Sequence, residues 1–202
     1  MKRCLIIGKP NVGKTLFLIN FSEYLGYKNV ELKKVAYDGS TSSKVFSIKD
    51  AKIALSSGTA FKTHSLQSLQ IDIPSIKGKK TFEFFDSSGI IDGIHGNFHF
   101  RKAMAQTLSL IAECDILLHI IDISALEQKN SISGMGEVDF QLAKYGQNKG
   151  NYLMLANKID LLERRTLLIQ LQKDYPDIYI IPISALTKQG FNEVKSYVSR
   201  RL

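Results

Sequence analysis

The sequence predicts an α/β domain, a mostly parallel six-stranded sheet with helices on both faces. Three observations predict it. Short apolar runs alternate with segments of helical periodicity along the whole chain, the pattern of strands buried beneath crossover helices. The length of 202 residues, 44% of them hydrophobic and 23% charged, suits one domain with a full core, here taken as residues 1–202. A turn with two fixed glycines, at residues 8–15, sits where the first strand hands over to the first helix.

Cys4 to Ile7 reads as a short buried strand, and Thr15 to Leu25 as a helix, with Leu16, Leu18, Ile19, Phe21 and Leu25 at near-helical spacing. Residues 26–62 are the least regular part, and Gly39-Ser40-Thr41-Ser42-Ser43 marks a loop within them. Leu66 to Ile73 and Thr81 to Phe85 read as two strands joined by a Lys-rich hairpin at Lys77-Gly78-Lys79-Lys80. A helix over residues 100–112 ends near Glu113-Cys114. Ile116 to Ile121, Tyr152 to Ala156 and Ile178 to Ile181 complete the six strands, with helical patterns at 137–145, 163–173 and 191–201.

Composition excludes several classes. Two cysteines, Cys4 and Cys114, are too few for a disulfide framework and lack zinc-site spacing, so a reducing cytoplasm fits. The apolar stretch Ile116 to Ile121 is far short of a membrane span, and Cys4 to Ile7 is too short for the apolar core of a signal peptide. The net charge of +8 calls for an anionic partner without naming one. It is unevenly spread: residues 1–101 carry net +7, and 26–80 alone carry 10 lysines against 4 acids.

Gly8-Lys9-Pro10-Asn11-Val12-Gly13-Lys14-Thr15 matches G-x-x-x-x-G-K-[ST] at every fixed position, in the strand-to-helix setting the motif requires. Glycines let backbone N–H groups approach phosphates at a helix N-terminus, which favours anions. Asn11, Val12, Gly13, Lys14, Thr15 and Leu16 are therefore candidate phosphate-binding positions. Lys14 would reach the β- and γ-phosphates, and the Thr15 hydroxyl would ligate Mg²⁺.

The base is read from Asn157-Lys158-Ile159-Asp160, which follows a predicted strand at the end where open α/β sheets bind ligands. N-K-x-D in that place is the guanine signature of GTP-binding proteins. Asp160 would accept the ring N1–H and the exocyclic amine, Asn157 would hold the N7 edge and brace the phosphate loop, and the Lys158 stem would lie over the ring. Ser184-Ala185-Leu186 follows the next strand, with the Ala185 N–H placed for the guanine O6.

Asp86-Ser87-Ser88-Gly89 matches D-x-x-G after a strand. Asp86 would hold Mg²⁺ through a water, and the Gly89 N–H would touch the γ-phosphate, whose loss releases the segment. A first switch should offer a threonine to Mg²⁺ and close over the γ-phosphate. Thr63 is the choice, with Thr59 as its rival. Ile90 stands where Ras-like proteins carry a water-orienting Gln. Slow intrinsic hydrolysis is the expectation, with acceleration by a potassium ion, a partner, or a polar group such as His95 or His99.

With these motifs in order, the chain resembles translation-factor-related GTPases of the Era/Obg type, most of all the G domain of Obg, without the Gly-rich N-terminal domain of that family. The resemblance extends through Asp86-Ser87-Ser88-Gly89-Ile90-Ile91-Asp92-Gly93-Ile94-His95, Cys114-Asp115-Ile116-Leu117-Leu118-His119-Ile120-Ile121-Asp122, Leu142-Ala143-Lys144-Tyr145 and Phe191-Asn192-Glu193. It implies a P-loop G domain that binds GTP and GDP with Mg²⁺ and switches a partner, a ribosomal particle or RNA. The Pro-Phe-Thr-Thr of the family's first switch is replaced by Ala60-Phe61-Lys62-Thr63-His64. Residues 26–62 form an extended, basic first-switch region. A GTP/GDP-dependent binding module with negligible turnover is the alternative, favoured by Ile90. A P-loop kinase or ATPase is disfavoured by Asn157 to Asp160.

Overall fold

A computed structural model describes residues 1–35, 40–55, 66–75, 78–91, 98–128, 135–163 and 166–201. Thr59, Thr63 and His95 lie outside the described residues, and His99 falls at the start of a helix. In chain order the elements are β1 (Lys2–Ile7), α1 (Lys14–Tyr24), β2 (Asn29–Val35), β3 (Thr41–Ser47), α2 (Ile48–Leu55), β4 (Leu66–Ser75) and β5 (Gly78–Asp86). There follow α3 (Phe98–Glu113), β6 (Ile116–Asp122), α4 (Ile123–Gln128), α5 (Glu137–Lys149), β7 (Tyr152–Asn157), α6 (Thr166–Asp174), β8 (Ile180–Pro182) and α7 (Phe191–Arg200).

The sheet order is β3-β2-β4-β5-β1-β6-β7-β8. β5, β1, β6, β7 and β8 pair in parallel, while β3, β2 and β4 extend the sheet antiparallel from β5. Alternate residues of each central strand serve opposite faces. Cys4 and Ile6 of β1 face a core built with α1, α2 and α7, through Phe17, Phe21, Ala51, Phe191 and Val194. Leu5 and Ile7 face a second core built with α3, α4, α5 and α6, through Ile111, Leu126, Ala143 and Leu171. Helices thus cover both faces, as expected.

The strand count is corrected from six to eight. Both extra strands, and helix α2, fall in the stretch read as irregular. In β2 only Val30 and Leu32 are buried, so its period-two signal is two residues long. β3 is a mostly polar edge strand with no fully buried residue: Phe46 packs half-buried against the first core, and the rest is held by backbone pairing with β2. Ser47-Ile48-Lys49-Asp50 did carry a readable helix start: Ser47 Oγ accepts the Asp50 N–H at 3.1 Å and donates to Asp50 Oδ2 at 2.7 Å. The β4–β5 hairpin is also tighter than expected, since Gly78, Lys79 and Lys80 already belong to β5.

Candidate functional site

Five strands point their carboxyl ends at one rim, and the motifs gather there. The loop from β1 to α1 passes residues 8–13. Gly13 sits at φ 101°, and a Cβ there would strike the Asn157 amide, so glycine is required on both counts. Asn11 accepts a left-handed backbone at φ 63°, which its short polar side chain tolerates. Val12 turns its side chain into the core, and Leu16 packs against the same core, so both offer only backbone groups to a ligand.

Lys14 is buried, 7% exposed, and its Nζ donates to the carbonyls of Gly8 (3.0 Å) and Lys9 (2.7 Å). Burial lowers its pKa to about 8 against the opposing pull of Asp86 and Asp139. Beside it, the Thr15 hydroxyl donates to Asp86 Oδ2 at 2.6 Å. Burial pushes the Asp86 carboxyl up to about 6, while the Thr15 hydrogen bond and Lys14 oppose the rise. Asp86 Oδ1 and the Ser88 hydroxyl are buried without a protein partner. Such orphaned oxygens are costly unless something fills the place.

The D-x-x-G segment is pressed onto the phosphate loop. Ser87 Oγ donates to the Ile6 carbonyl at 2.7 Å, and the Ile90 N–H to the Gly8 carbonyl at 3.1 Å. A Cβ on Gly89 would come within 2.6 Å of the Pro10 nitrogen. Ile90 itself is 4% exposed and part of the second core.

Asn157, at the end of β7, bridges two loops: its Nδ2 donates to the Val12 carbonyl at 2.7 Å and its Oδ1 accepts the Ala185 N–H at 2.8 Å. Lys158 follows in a left-handed conformation, φ 70°, with Nζ 2.5 Å from Asp122 Oδ2. Asp160 lies in the short turn Ile159–Leu161, open to solvent. Ser184 is fully buried and its Oγ accepts the Thr187 N–H at 3.0 Å, which shapes the Ser184-Ala185-Leu186 turn. Asn20 Nδ2 holds the Ala185 carbonyl at 2.6 Å, and Leu186 is 66% exposed at the rim. The described candidate residues therefore converge, from four loops, on one rim.

Two partners escaped the sequence reading. Asp122, the ion-pair partner of Lys158, stands opposite Asn157 in the β6–β7 register, a neighbour relation no linear spacing reveals. Glu23 at the end of α1 accepts from Lys52 at 2.6 Å and from Lys188 at 2.8 Å, tying α2 to the Ser184–Lys188 turn. Lys33, Lys34, Lys79 and Lys80, four of the ten lysines of residues 26–80, do not form one surface. Lys33 pairs with Ser68 and Lys79 with Pro74 along β4, which separates them by about 20 Å at the usual strand rise. Lys34 and Lys80 neighbour them in sequence and so lie on the other face.

Residues 3–158 match the family model described as 50S ribosome-binding GTPase. GTPase Obg of Clostridioides difficile is 29% identical over 126 residues, covering 60% of this chain and 29% of Obg. Mitochondrial ribosome-associated GTPase 2 of Pongo abelii is 29% identical over 175 residues, covering 82% of this chain and 40% of that protein. The chain thus spans well under half of the curated relatives it matches. Among solved structures, Aquifex aeolicus Era bound to GDP and AlF4⁻ overlays with a TM-score of 0.65 at 22% identity, covering 100% of this chain and 57% of Era. The G domain of the Thermotoga maritima FeoB iron transporter overlays at 0.60 with 17% identity, covering 100% of this chain and 98% of that domain. At these identities the overlays speak for the fold, and the family match over residues 3–158 decides membership: the chain belongs to the 50S ribosome-binding GTPase family.

Proposed function

We propose that the protein is a slow GTP-driven switch whose partner is a ribosomal particle or its RNA. The observation that carries the slow rate is Ile90, buried and backbone-bonded to Gly8 where a water-orienting polar side chain is needed. In this reading Lys14 and the N–H groups of residues 11–16 hold the phosphates, and Gly89 senses the γ-phosphate. Asn157, Lys158, Asp160, Ser184, Ala185 and Leu186 form the guanine pocket. Thr63 completes the site from the first switch. Thr15 and Asp86 fit a magnesium ion, since the free Asp86 Oδ1 is a buried oxygen ready for a cation or its water. When bound, magnesium neutralises phosphate charge. Residues 1–202 act as one G domain, in the cytoplasm; no helix among the described residues is long and apolar enough to cross a membrane.

The partner is inferred from family membership and from an Era structure that contains MgGDPNP and nucleotides 1506–1542 of 16S ribosomal RNA. Phosphate release, measured in sodium and in potassium buffer with and without ribosomal particles, tests both parts. Turnover well below about one GTP per second in sodium, raised by potassium or particles, is expected. A faster intrinsic rate defeats the slow switch. GTP-dependent co-sedimentation with particles but no turnover under any condition would establish the binding module instead.

A further inference from the structure

Lys9, the second residue of the phosphate loop, turns toward helix α5 rather than toward solvent. Its Nζ donates to the Met135 carbonyl at 2.5 Å and lies 3.3 Å from Asp139 Oδ2. Asp139 faces inward from the first turn of α5 and is 5% exposed. Its other oxygen meets His119 Nε2 at 3.0 Å, and His119 Nδ1 meets the Tyr152 hydroxyl at 2.6 Å. His119 is fully buried on β6 and Tyr152 nearly so on β7. Burial, with the Asp139 charge beside it, pushes the Tyr152 phenol well above its ordinary value. The contacts run unbroken from the Lys9 ammonium through the Asp139 carboxylate and the His119 ring to the Tyr152 hydroxyl.

Buried polar chains of this kind are retained where they fix one arrangement. Here the arrangement fixed is the front of the phosphate loop. Lys14 also holds that front, through the Gly8 and Lys9 carbonyls. A bound phosphate competes for the Lys14 ammonium, and Lys9 then becomes the remaining side-chain tether of the loop toward α5. We infer that Lys9 is a positioning residue for nucleotide binding, anchored by Asp139, with His119 and Tyr152 holding that carboxylate in place. Nucleotide occupancy and the seating of α5 are thereby coupled, and the coupling is reciprocal. The inference rests on the phosphate-loop reading of residues 8–15.

Asp139→Asn separates positioning from simple charge. Asp139 lies close enough to Lys14 to act on it electrically, so by charge alone its removal favours an anionic nucleotide. A positioning role predicts the reverse, GDP affinity weaker by roughly 5- to 50-fold in a calorimetric titration of the full chain. Lys9→Met should show a similar loss, Lys9→Arg should recover most of it, and Lys9→Met/Asp139→Asn should be no worse than the worse single variant. Tighter or unchanged GDP binding by Asp139→Asn overturns the inference, as do additive losses. A second readout holds even where a variant fails to fold: in the wild-type chain, the His119 ring ¹⁵N resonances should shift when GDP binds, and static resonances count against the coupling. Absence of GDP binding by the wild type would instead defeat the phosphate-loop reading itself.

Discussion

At the scale of single residues, the site holds two buried charges that are uncomfortable without a ligand. Lys14 is pushed down to about 8 and Asp86 up to about 6, each chiefly by burial. A carboxyl whose folded pKa lies above its unfolded value binds more protons in the folded state, so stability is lost as pH rises from about 4 to about 6. Relative to Asp86→Asn, the nucleotide-free protein should lose about 2–3 kcal/mol across that interval. Chemical denaturation at pH 4, 5, 6 and 7 checks this, and parallel profiles for the two proteins would refute it. Magnesium, a cation that favours the carboxylate, should flatten the loss.

The motif residues were legible because each needs a chemical type at a fixed spacing: glycine where a Cβ would strike Asn157, lysine and threonine at the helix start, aspartate at the end of β5. Asp122, Asp139, His119 and Tyr152 were not. Their partners come from other strands and helices, so their spacing in the chain carries no signal.

At the scale of elements, the unit formed by β2, β3 and α2 extends a sheet whose parallel half carries the nucleotide motifs. It is seated by Val30, Leu32, Ile48 and Ala51 on the core shared with α1. It reaches the Ser184–Lys188 turn through Glu23, whose carboxyl the Lys188 and Lys52 hydrogen bonds hold below its ordinary value. α2 depends on its cap. Ser47→Ala removes the acceptor for the Asp50 N–H, at a cost of about 1 kcal/mol. The expected result is a lower thermal midpoint with GDP affinity unchanged within a factor of about two, since additivity holds for distant sites. A large affinity loss would mean that the Glu23 link transmits the position of α2 to the base pocket.

At the scale of the whole molecule, the sheet brings together four loops that are far apart in the chain, and in the proposed reading a nucleotide joins them. Ligand binding confined to the folded state adds stability as RT ln(1 + [L]/Kd), about 2.7 kcal/mol at a hundredfold excess over Kd. The thermal midpoint should therefore climb with GDP and stay level with ATP at the same concentration. An equal rise with both would remove the guanine assignment from Asn157 to Asp160.

The sequence by itself determined the α/β class, and it marked the residue 8–15, N-K-x-D and D-x-x-G segments that the fold gathers at one rim. These are local statements: apolar runs fully buried in a central parallel sheet, and short motifs whose chemistry depends on residue type and order. Only the tertiary structure decided the eight-stranded sheet, the division of Lys33, Lys34, Lys79 and Lys80 between two faces, and the tether from Lys9 through Asp139 and His119 to Tyr152. An edge strand such as β3 is held mostly by backbone pairing, with Phe46 its one side chain packed on the core, and a buried polar chain is assembled across strands by register. Neither is written in the order of the residues; both follow from how the strands are laid side by side.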